Sequence, residues 1–311
     1  MPEGDEVWRT AHRLDEALGR RVLLSADLRW PNLSTANLAG LLVTEVVPRG
    51  KHILARFDNG WTLHSHLRMD GSWVIERTAE PNAAPAVGRV PGTRPGRRPA
   101  VPERKSGRRP EALGGRFVRA VLVGTEWTAI GVDLGMLDLV TTDKEDTLVG
   151  HLGPDLLDPD LDAALAVSNL HAAEGTIGAA LLDQRNLAGL GTIWASETLF
   201  AERIHPWRQA SSLEAAELER LVARGSRFLN ASITHAMPSS TGIRRNDKQF
   251  YVHGRSGRQC RRCGATVRVA AIGPETRERP MFYCPGCQGG LGLTDDGHPI
   301  RPLGAPRPAD R

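Results

Sequence analysis

Four cysteines in two Cys-x-x-Cys pairs constrain the fold of this 311-residue chain more than any other feature of its sequence. Cys260 and Cys263 form the first pair and Cys284 and Cys287 the second, with twenty residues between the pairs and no cysteine elsewhere. Each pair places two thiolates on one tight turn, and two such turns bring four sulfurs to the corners of the tetrahedron that structural zinc prefers. We therefore predict one structural zinc ion, since four cysteine ligands leave no coordination position for a reacting water.

The residues between the cysteine pairs predict a short β-hairpin. Ala265–Ile272 and Arg279–Tyr283 have the composition of its two strands, and the hairpin carries Arg268, Arg277 and Arg279. Arginine suits phosphate because its planar guanidinium donates two hydrogen bonds at once. Zinc ribbons occur in many nucleic-acid-binding proteins, so this element indicates a partner and not a reaction.

Charge and hydropathy narrow the class of protein further. The net charge is +4, and arginine greatly outnumbers lysine, which makes DNA or RNA a plausible partner. The segment Met1–Leu14 carries several charged residues, and no apolar run is long enough to cross a bilayer. We expect a soluble, cytoplasmic protein without a membrane partner, in which metal binding by the cysteines is favoured over disulfides.

The pattern along the chain predicts an α+β protein built from consecutive regions. Residues 6–18 fit one face of a helix, and short β-rich runs follow, two of them joined by the hairpin turn Asp58-Asn59-Gly60. Residues 1–145 are therefore predicted to form an N-terminal helix plus a β-sandwich or barrel. Residues 146–247 are predicted to be helical, 248–291 to form the zinc finger and 292–311 to form a flexible tail.

The predicted strands of the first region are Val22–Leu28, Leu41–Val47, Ile53–Phe57, Trp61–His66, Trp73–Ile75, Phe117–Val123, Thr128–Val132 and Leu137–Thr141. The clearest predicted helices of the second region are Leu170–Leu182, Ile193–Phe200 and Leu213–Leu229.

Residues 78–115 have a different character from their surroundings. Pro, Gly, Ala and Arg dominate this stretch and no apolar periodicity occurs, so it cannot bury enough surface to offset its ordering entropy. We interpret it as a disordered insertion. A loop insertion of no special role is favoured over a basic arm that holds DNA through its phosphates, because surface loops accept insertions at small cost.

The start of the chain offers an unusual nucleophile. Proline after Met1 favours removal of the initiator methionine, which exposes the secondary amine of Pro2. A model α-amine has a pKa of about 7.7–8.0, so a useful fraction is neutral near pH 7. Its condensation with an aldehyde gives an iminium ion that cannot be neutralised by losing a proton from nitrogen, and Glu3 stands beside it as a proton donor. Taken alone, however, Met-Pro-Glu is a common way for a protein to begin.

Other motifs accompany this N-terminus. After Met1–Asp5 come the turn Arg49–His52, the stretch Ser65–Gly71, the sequence Leu181–Gly191, and then the cysteine hairpin. In this order they resemble the formamidopyrimidine-DNA glycosylase and endonuclease VIII family, on the side of its actinobacterial endonuclease VIII-like members. The resemblance runs from residue 2 to about residue 290, excluding the insertion. It implies that the helical region contains a helix–two-turn–helix, whose turn and second helix bind backbone phosphate.

The resemblance also implies roles for individual residues. Pro2 is similar to the family's Schiff-base nucleophile, which attacks the sugar C1′ of a flipped-out nucleotide, and Glu3 to its proton donor. Lys51 matches a lysine that contacts phosphate and assists proton transfer, and Arg279 matches the finger arginine that grips the phosphate beside the lesion. The same comparison assigns DNA contacts to three further residues, which are Arg68, Met69 and Thr192.

Some of these residues also fit simpler explanations, and the sequence departs from the family at three places, one of which is a longer spacing between the cysteine pairs. Met69 resembles an apolar wedge that fills the gap left by the flipped base, but a methionine can equally belong to the core. Thr192 stands where the family has a phosphate-binding asparagine, and a hydroxyl donates only one hydrogen bond. The purine-specific branch carries an Arg-Arg-Phe wedge that Ile130–Met136 lacks. That departure favours oxidised pyrimidines over 8-oxoguanine.

The leading hypothesis is a bifunctional DNA glycosylase and AP lyase of base excision repair, acting by β,δ-elimination on damaged double-stranded or single-stranded DNA. The resemblance further suggests a monomer. The alternatives are a purine-directed glycosylase, a damaged-DNA-binding protein that has lost catalysis, and a zinc-ribbon factor of transcription or RNA handling. The last explains the cysteines but not the N-terminus.

Overall fold

In the computed structural model, which describes residues 2–78, 115 and 117–289, the chain begins with the amphipathic helix α1 (Gly4–Leu18). Its buried residues include Val7, Ala11, Leu14 and Leu18, spaced three or four apart on one face. This face packs on the β-sheets that follow. The sequence predicted this helix from the same spacing.

Two antiparallel sheets follow α1 and enclose the first core. One sheet has the strand order β1-β3-β4-β5-β9 and the other the order β2-β7-β8-β6. Residues of both sheets, such as Ile53, Leu63, Trp73 and Leu122, meet in one buried cluster, as in a β-sandwich. The strands are β1 (Arg21–Val22), β2 (Ser25–Leu28), β3 (Leu42–Arg49), β4 (His52–Phe57), β5 (Trp61–His66), β6 (Ser72–Arg77), β7 (Val118–Val123), β8 (Trp127–Val132) and β9 (Met136–Thr141).

One strand prediction is wrong: Val22–Leu28 is not a single strand. The chain changes sheets at Leu23–Leu24, where Leu23 N–H donates to Leu41 in one sheet and Leu24 N–H to Val123 in the other. The sequence shows no break because the apolar pattern continues through the corner of the sandwich. The predicted turn at Asp58-Asn59-Gly60 is confirmed, with Gly60 at φ +78°. The predicted insertion 78–115 lies almost wholly outside the described residues.

Helices surround the second core, which contains Leu170, Ile177, Trp194 and Leu199. The helices are α2 (Asp146–Val149), α3 (Ala163–Ala172), α4 (Ile177–Leu182), α5 (Thr192–Ala201) and α6 (Ala215–Ile233). The predicted helix Leu170–Leu182 is wrong, because α3 ends at Ala172 and α4 starts only at Ile177. Gly175 turns the chain between them with φ +87°, and its carbonyl accepts a hydrogen bond from Ala210 N–H.

The last described region is a hairpin of β10 (Arg268–Ile272) and β11 (Arg279–Tyr283), followed by the short helix α7 (Pro285–Gln288). The hairpin is fixed to α5, where Phe282 N–H donates to Ser196 Oγ at 3.2 Å and Met281 enters the helical core. The α+β fold predicted from the sequence is therefore confirmed. The domain boundaries at residues 145, 247 and 291 stay predictions.

None of the helices in the described ranges is long and apolar enough to span a membrane.

Candidate active site

Glu3 joins the start of the chain to the helical region. Glu3 is 2% exposed. Its carboxylate accepts hydrogen bonds from the backbone N–H groups of Gly191 at 2.9 Å, Ile193 at 2.7 Å and Trp194 at 3.2 Å. These N–H groups lie at the N-terminus of α5, which has no carbonyl partners for them within the helix and favours a negative charge. The Glu3 carboxylate therefore provides hydrogen-bond acceptors for the first N–H groups of a helix that lies about 190 residues further along the chain.

Two glycines allow this close approach. A Cβ on Gly191 would lie 2.5 Å from Glu3 Cδ, and a Cβ on Gly4 would lie 2.9 Å from Gly189 Cα. Gly4 N–H also donates to Gly189 O at 2.9 Å. Pro2 precedes Glu3 directly and is partly exposed, so the packing of the glycine turn holds Pro2 at the junction between the sandwich and the helices.

Lys51 approaches the same junction from the sandwich. It lies in the turn between β3 and β4, where Gly50 has φ +58° and donates its N–H to the buried carboxylate of Asp155 at 2.5 Å. Lys51 Nζ donates to the carbonyl of Leu190, which is the residue before the turn glycine that binds Glu3. The lysine and the glutamate therefore meet on one glycine-rich turn of the helical region.

The electrostatics of this junction suit proton transfer. Burial raises the pKa of Glu3 above its ordinary value, and the positive charge of Lys51 opposes that rise. Burial lowers the pKa of Lys51 to about 8, while Glu3 acts to raise it and Arg279 to lower it. Arg279, the exposed first residue of β11, therefore adds its charge to the same site. Glu3 therefore keeps its proton more strongly than a free glutamate, and Lys51 keeps its proton more weakly than a free lysine. Shifts of this kind are typical of residues that transfer protons.

The lowered pKa of Lys51 predicts an alkaline loss of activity. As the pH rises through about 8, Lys51 loses the charge that an ordinary lysine keeps to beyond pH 10. We expect the rate of DNA processing by the wild type to fall with an apparent pKa near 8. Lys51→Arg should keep its charge throughout this range, so the limb near pH 8 should disappear, while the rate at pH 7 should fall by about tenfold or more because guanidinium does not release its proton.

Single-turnover rates between pH 6 and pH 10 measure this effect, with Lys144→Arg as the matched control at an exposed position. If the rate of Lys51→Arg also fell near pH 8, the alkaline limb would belong to a group other than Lys51. The pH dependence of stability has the opposite sign to that of activity. Between about pH 8 and 10.5 the unfolded chain binds more protons at Lys51 than the folded chain does. The contribution of Lys51 to the free energy of unfolding therefore rises with pH through that window.

Arg68 and Met69 lie on the loop after β5, at the end of the sheet where β4 starts, since His52 pairs with His66. Met69 is 54% exposed, so the alternative of a buried core methionine is wrong. Arg68 has φ +53°, and its side chain packs over Gly135. A Cβ on Gly135 would lie 2.1 Å from Arg68 Cγ. These two residues therefore present a loop to solvent on the side of the molecule where Lys51 lies, and their contacts with DNA stay predictions.

Thr192 is the first residue of α5 and is 8% exposed. Its carbonyl accepts a hydrogen bond from Ser196 Oγ at 2.6 Å. Its neighbours Gly191 and Ile193 bind Glu3, so Thr192 belongs to the turn that completes the junction. A phosphate contact of its hydroxyl stays a prediction.

A second attachment of α1 to the helical region was missed from the sequence. The buried carboxylate of Asp5 accepts from Ser232 Oγ at 2.5 Å, and Arg9 donates to the carbonyls of Ser232 at 2.6 Å and His235 at 3.1 Å. Arg9 thereby satisfies carbonyls at the C-terminus of α6. The spacing of Asp5 and Arg9 on one helix face is visible in the sequence, but a partner more than 220 residues away is not.

The four cysteines converge as their spacing predicts. Their sulfurs all lie within 4.8 Å of one another, with Sγ–Sγ distances of 3.8 Å for Cys260–Cys287 and 3.4 Å for Cys263–Cys284. A Cβ on Gly286 would come within 3.0 Å of Cys263 Sγ, so glycine leaves room for the cluster. Four converging thiols within reach of one ion fit a metal site of the structural kind.

Comparison with known proteins agrees with this geometry. A family model described as formamidopyrimidine-DNA glycosylase N-terminal domain matches residues 1–92, and one described as formamidopyrimidine-DNA glycosylase H2TH domain matches residues 152–242. A "Probable endonuclease 8 2" of Streptomyces coelicolor is 42% identical over 93% of this chain and 95% of its own length. A "DNA-(apurinic or apyrimidinic site) lyase Nei2" of Mycolicibacterium smegmatis is 34% identical over 93% of this chain and 99% of its own.

A solved structure shows the same fold. The formamidopyrimidine-DNA glycosylase of Lactococcus lactis, crystallised with DNA that contains an AP site, superposes with a TM-score of 0.69 at 22% identity and covers 93% of this chain and 100% of its own. The chain therefore belongs to the formamidopyrimidine-DNA glycosylase family, whose members are DNA glycosylases and AP lyases of base excision repair. Its relatives include actinobacterial proteins named endonuclease 8, which confirms the resemblance read from the motifs.

Proposed function

We propose that this chain excises oxidised pyrimidines from DNA and then cleaves the strand, with the amine of Pro2 as the nucleophile. The observation that carries the proposal is the junction at Glu3. There a buried carboxylate with a raised pKa lies one residue from Pro2 and is coupled electrostatically to Lys51. A nucleophile, an acid and a cation that assists proton transfer thus meet where the two cores join.

The proposed reaction begins once Met1 has been removed. The neutral amine of Pro2 attacks C1′ of the flipped-out nucleotide, the damaged base leaves, and Glu3 donates the proton that opens the sugar ring. The resulting iminium makes the C2′ proton acidic; a base removes that proton, and its electron pair forms a double bond as the 3′-phosphate leaves by β-elimination. A second elimination releases the 5′-phosphate, and Arg279 is proposed to bind the phosphate beside the lesion. Hydrolysis of the iminium then frees Pro2.

The preference for pyrimidines rests on the turn between β8 and β9. Ile130–Met136 lacks the Arg-Arg-Phe wedge, and the leucine of this turn, Leu134, is 3% exposed because it points into the sandwich core. No large side chain of this turn replaces the wedge.

A panel of duplexes, each with one lesion, tests the activity and the lesion choice together. Incubation with borohydride should trap a covalent complex with oxidised-pyrimidine and abasic-site DNA, and release of the base should be at least about tenfold slower for 8-oxoguanine. Faster release of 8-oxoguanine would make the enzyme purine-directed. Binding without trapping on every duplex would make it a damaged-DNA-binding protein that has lost catalysis.

We infer further that the metal of the cysteine cluster is one zinc ion with a structural role. Cys260, Cys263, Cys284 and Cys287 would hold it, and it would supply cross-linking of the hairpin but no chemistry, since four thiolates fill a tetrahedral site. We expect one zinc per chain by elemental analysis. Chelation, or Cys284→Ser, should weaken binding to duplex DNA by about a hundredfold, because β11 carries Arg279 and loses its support.

Fluorescence anisotropy with labelled duplex measures this loss, and readdition of zinc should restore binding to the chelated wild type but not to Cys284→Ser. If the metal-free protein bound DNA as tightly as the wild type, DNA binding would not depend on the metal of the cysteine cluster.

The remaining proposals concern assembly and substrate form. We infer a monomer that acts on damaged double-stranded or single-stranded DNA in the cytoplasm. The family and the net charge of +4 support the DNA partner. Light scattering and competition between strand forms at matched salt test these points.

A further inference from the structure

A group of histidines on the larger sheet is not used by the reaction described above. His52 on β4 pairs across the sheet with His66 on β5, and His64 on β5 pairs with Asp138 on β9. Leu54, two residues after His52, lies on the same face of the sheet and packs against Val149, Leu152 and Ala188 of the helical region. The histidines therefore lie on the sheet face that meets the helical region, next to Lys51.

Three of these side chains form a continuous chain of hydrogen bonds. Asp138 Oδ2 lies 2.9 Å from His64 Nδ1, and His64 Nε2 lies 2.8 Å from His52 Nδ1. His64 is fully buried and His52 is 8% exposed, whereas the Asp138 side chain is 40% exposed at the edge strand. The chain thus runs from the solvent edge of the sheet to the residue that follows Lys51.

The carboxylate sets the direction of these hydrogen bonds. An ionised carboxylate only accepts, so His64 donates from Nδ1. A neutral imidazole has a single N–H, so His64 Nε2 accepts, and His52 must donate from Nδ1. Every polar atom between the carboxylate and His52 then has one defined role, and neither ring can rotate without leaving a buried polar atom unpaired.

Burial and the charged and titratable groups around His52 keep it neutral. Lys51 precedes it in the turn before β4. The rings of His64 and His66 on β5 lie 5.0 and 4.8 Å from the His52 ring, and the ring of His151, after α2, lies 6.2 Å away. Burial first, and then these neighbours, lower the pKa of His52 to about 3. Burial lowers the pKa of His66 to about 4, with Arg68 adding to the effect.

The turn that carries Lys51 is fixed on both sides. Gly50 is held by the Asp155 carboxylate from the helical region, and His52 is held by His64 from the next strand. Lys51 has a long flexible side chain. Its hydrogen bond to the Leu190 carbonyl requires that the backbone of the turn that carries Lys51 stay in place. A misplacement of about 1 Å in such a group can reduce a rate about a hundredfold.

We propose that Asp138, His64 and His52 form a relay of hydrogen bonds that positions the Lys51 turn for the reaction. None of the three is proposed to touch DNA; they act through Lys51 as positioning residues. The proposal rests on the role of Lys51 in the proposed function, but the hydrogen-bond directions within the relay do not.

Nitrogen NMR of the full-length protein labelled in its histidines tests the directions. Wild-type His52 and His64 should both be Nδ1–H tautomers, and Asp138→Asn should populate the Nε2–H tautomer of His64, because an amide can donate as well as accept. Asp143→Asn, an exposed neighbour, should leave both unchanged. An Nε2–H tautomer for His64 in the wild type would overturn the relay.

Single-turnover cleavage of abasic-site DNA tests the positioning. Asp138→Asn and His64→Gln should lower the rate about tenfold to a hundredfold, with the Kd for DNA within about twofold of the wild type. Asp138→Glu keeps a carboxylate and should retain most of the rate. His171→Gln, at an exposed position on α3, is the matched histidine control.

Thermal unfolding of each variant identifies a global loss of structure, which would lower rate and DNA binding together. Wild-type rates in both Asp138→Asn and His64→Gln would refute the positioning role. If the wild type itself neither cleaves nor is trapped, the proposed function has failed, and the tautomers measured by NMR still decide whether the relay exists.

Discussion

An extra residue in front of Pro2 is expected to abolish covalent trapping on abasic-site DNA. The nitrogen of Pro2 then becomes part of an amide, whose lone pair is delocalised into the carbonyl and no longer attacks carbon. Loss of a nucleophile typically reduces a rate about a thousandfold or more, so the borohydride-trapped band should fall to the level without enzyme. A short uncleaved N-terminal peptide makes this change without altering any side chain of the site.

The matched control carries the same peptide at the C-terminus and should be trapped like the untagged protein. A third form, in which a protease removes the peptide and leaves Pro2 first, should regain trapping. Anisotropy must show that the extended protein still binds the duplex, since Pro2 is only partly exposed. Equal trapping by the extended and processed proteins would assign the nucleophile to another amine, with Lys51 the first candidate because its pKa is lowered to about 8.

Local patterns in the sequence predicted the metal cluster and most of the strands. The spacing of Cys260, Cys263, Cys284 and Cys287 is sufficient because each pair shares one turn, and the four sulfurs lie within 4.8 Å. The strand Trp61–His66 was predicted with its observed ends, since alternation and the Asp-Asn-Gly turn before it are both local signals.

Features that depend on distant partners were not predictable in the same way. Glu3 was singled out for its chemistry, but its three amide partners at the N-terminus of α5 follow only from the packing of two regions. The same applies to His52 and His64, whose Cα pairing with His66 and Asp138 depends on the register of three strands. A pattern within one strand does not specify its register against another.

Glu3 therefore has two functions that a single substitution disturbs together. Its carboxylate is a proton donor in the proposed reaction, and it is also the acceptor for three backbone N–H groups that attach α1 to α5. An experiment on Glu3 must separate loss of proton transfer from loss of this attachment.

Glu3→Gln is expected to lower base excision by about 100- to 10,000-fold, because the amide cannot donate a proton to the opening sugar. The effect on a preformed abasic site should be much smaller, since that sugar is already in equilibrium with its open aldehyde and the amine of Pro2 condenses with it directly. The amide also turns an N–H₂ group toward backbone N–H groups, so the free energy of unfolding should fall by about 1–3 kcal/mol. Base release and borohydride trapping on abasic DNA measure the two steps separately.

Glu16→Gln, on the exposed side of α1, is the control for a change of net charge and should match the wild type in both steps. If Glu3→Gln lowered both steps in proportion to its loss of stability, the carboxylate would serve only to attach α1 to α5. A selective loss of base excision assigns the proton to Glu3. That result would also explain why the carboxylate is buried: burial raises its pKa, and the three amides hold it in place.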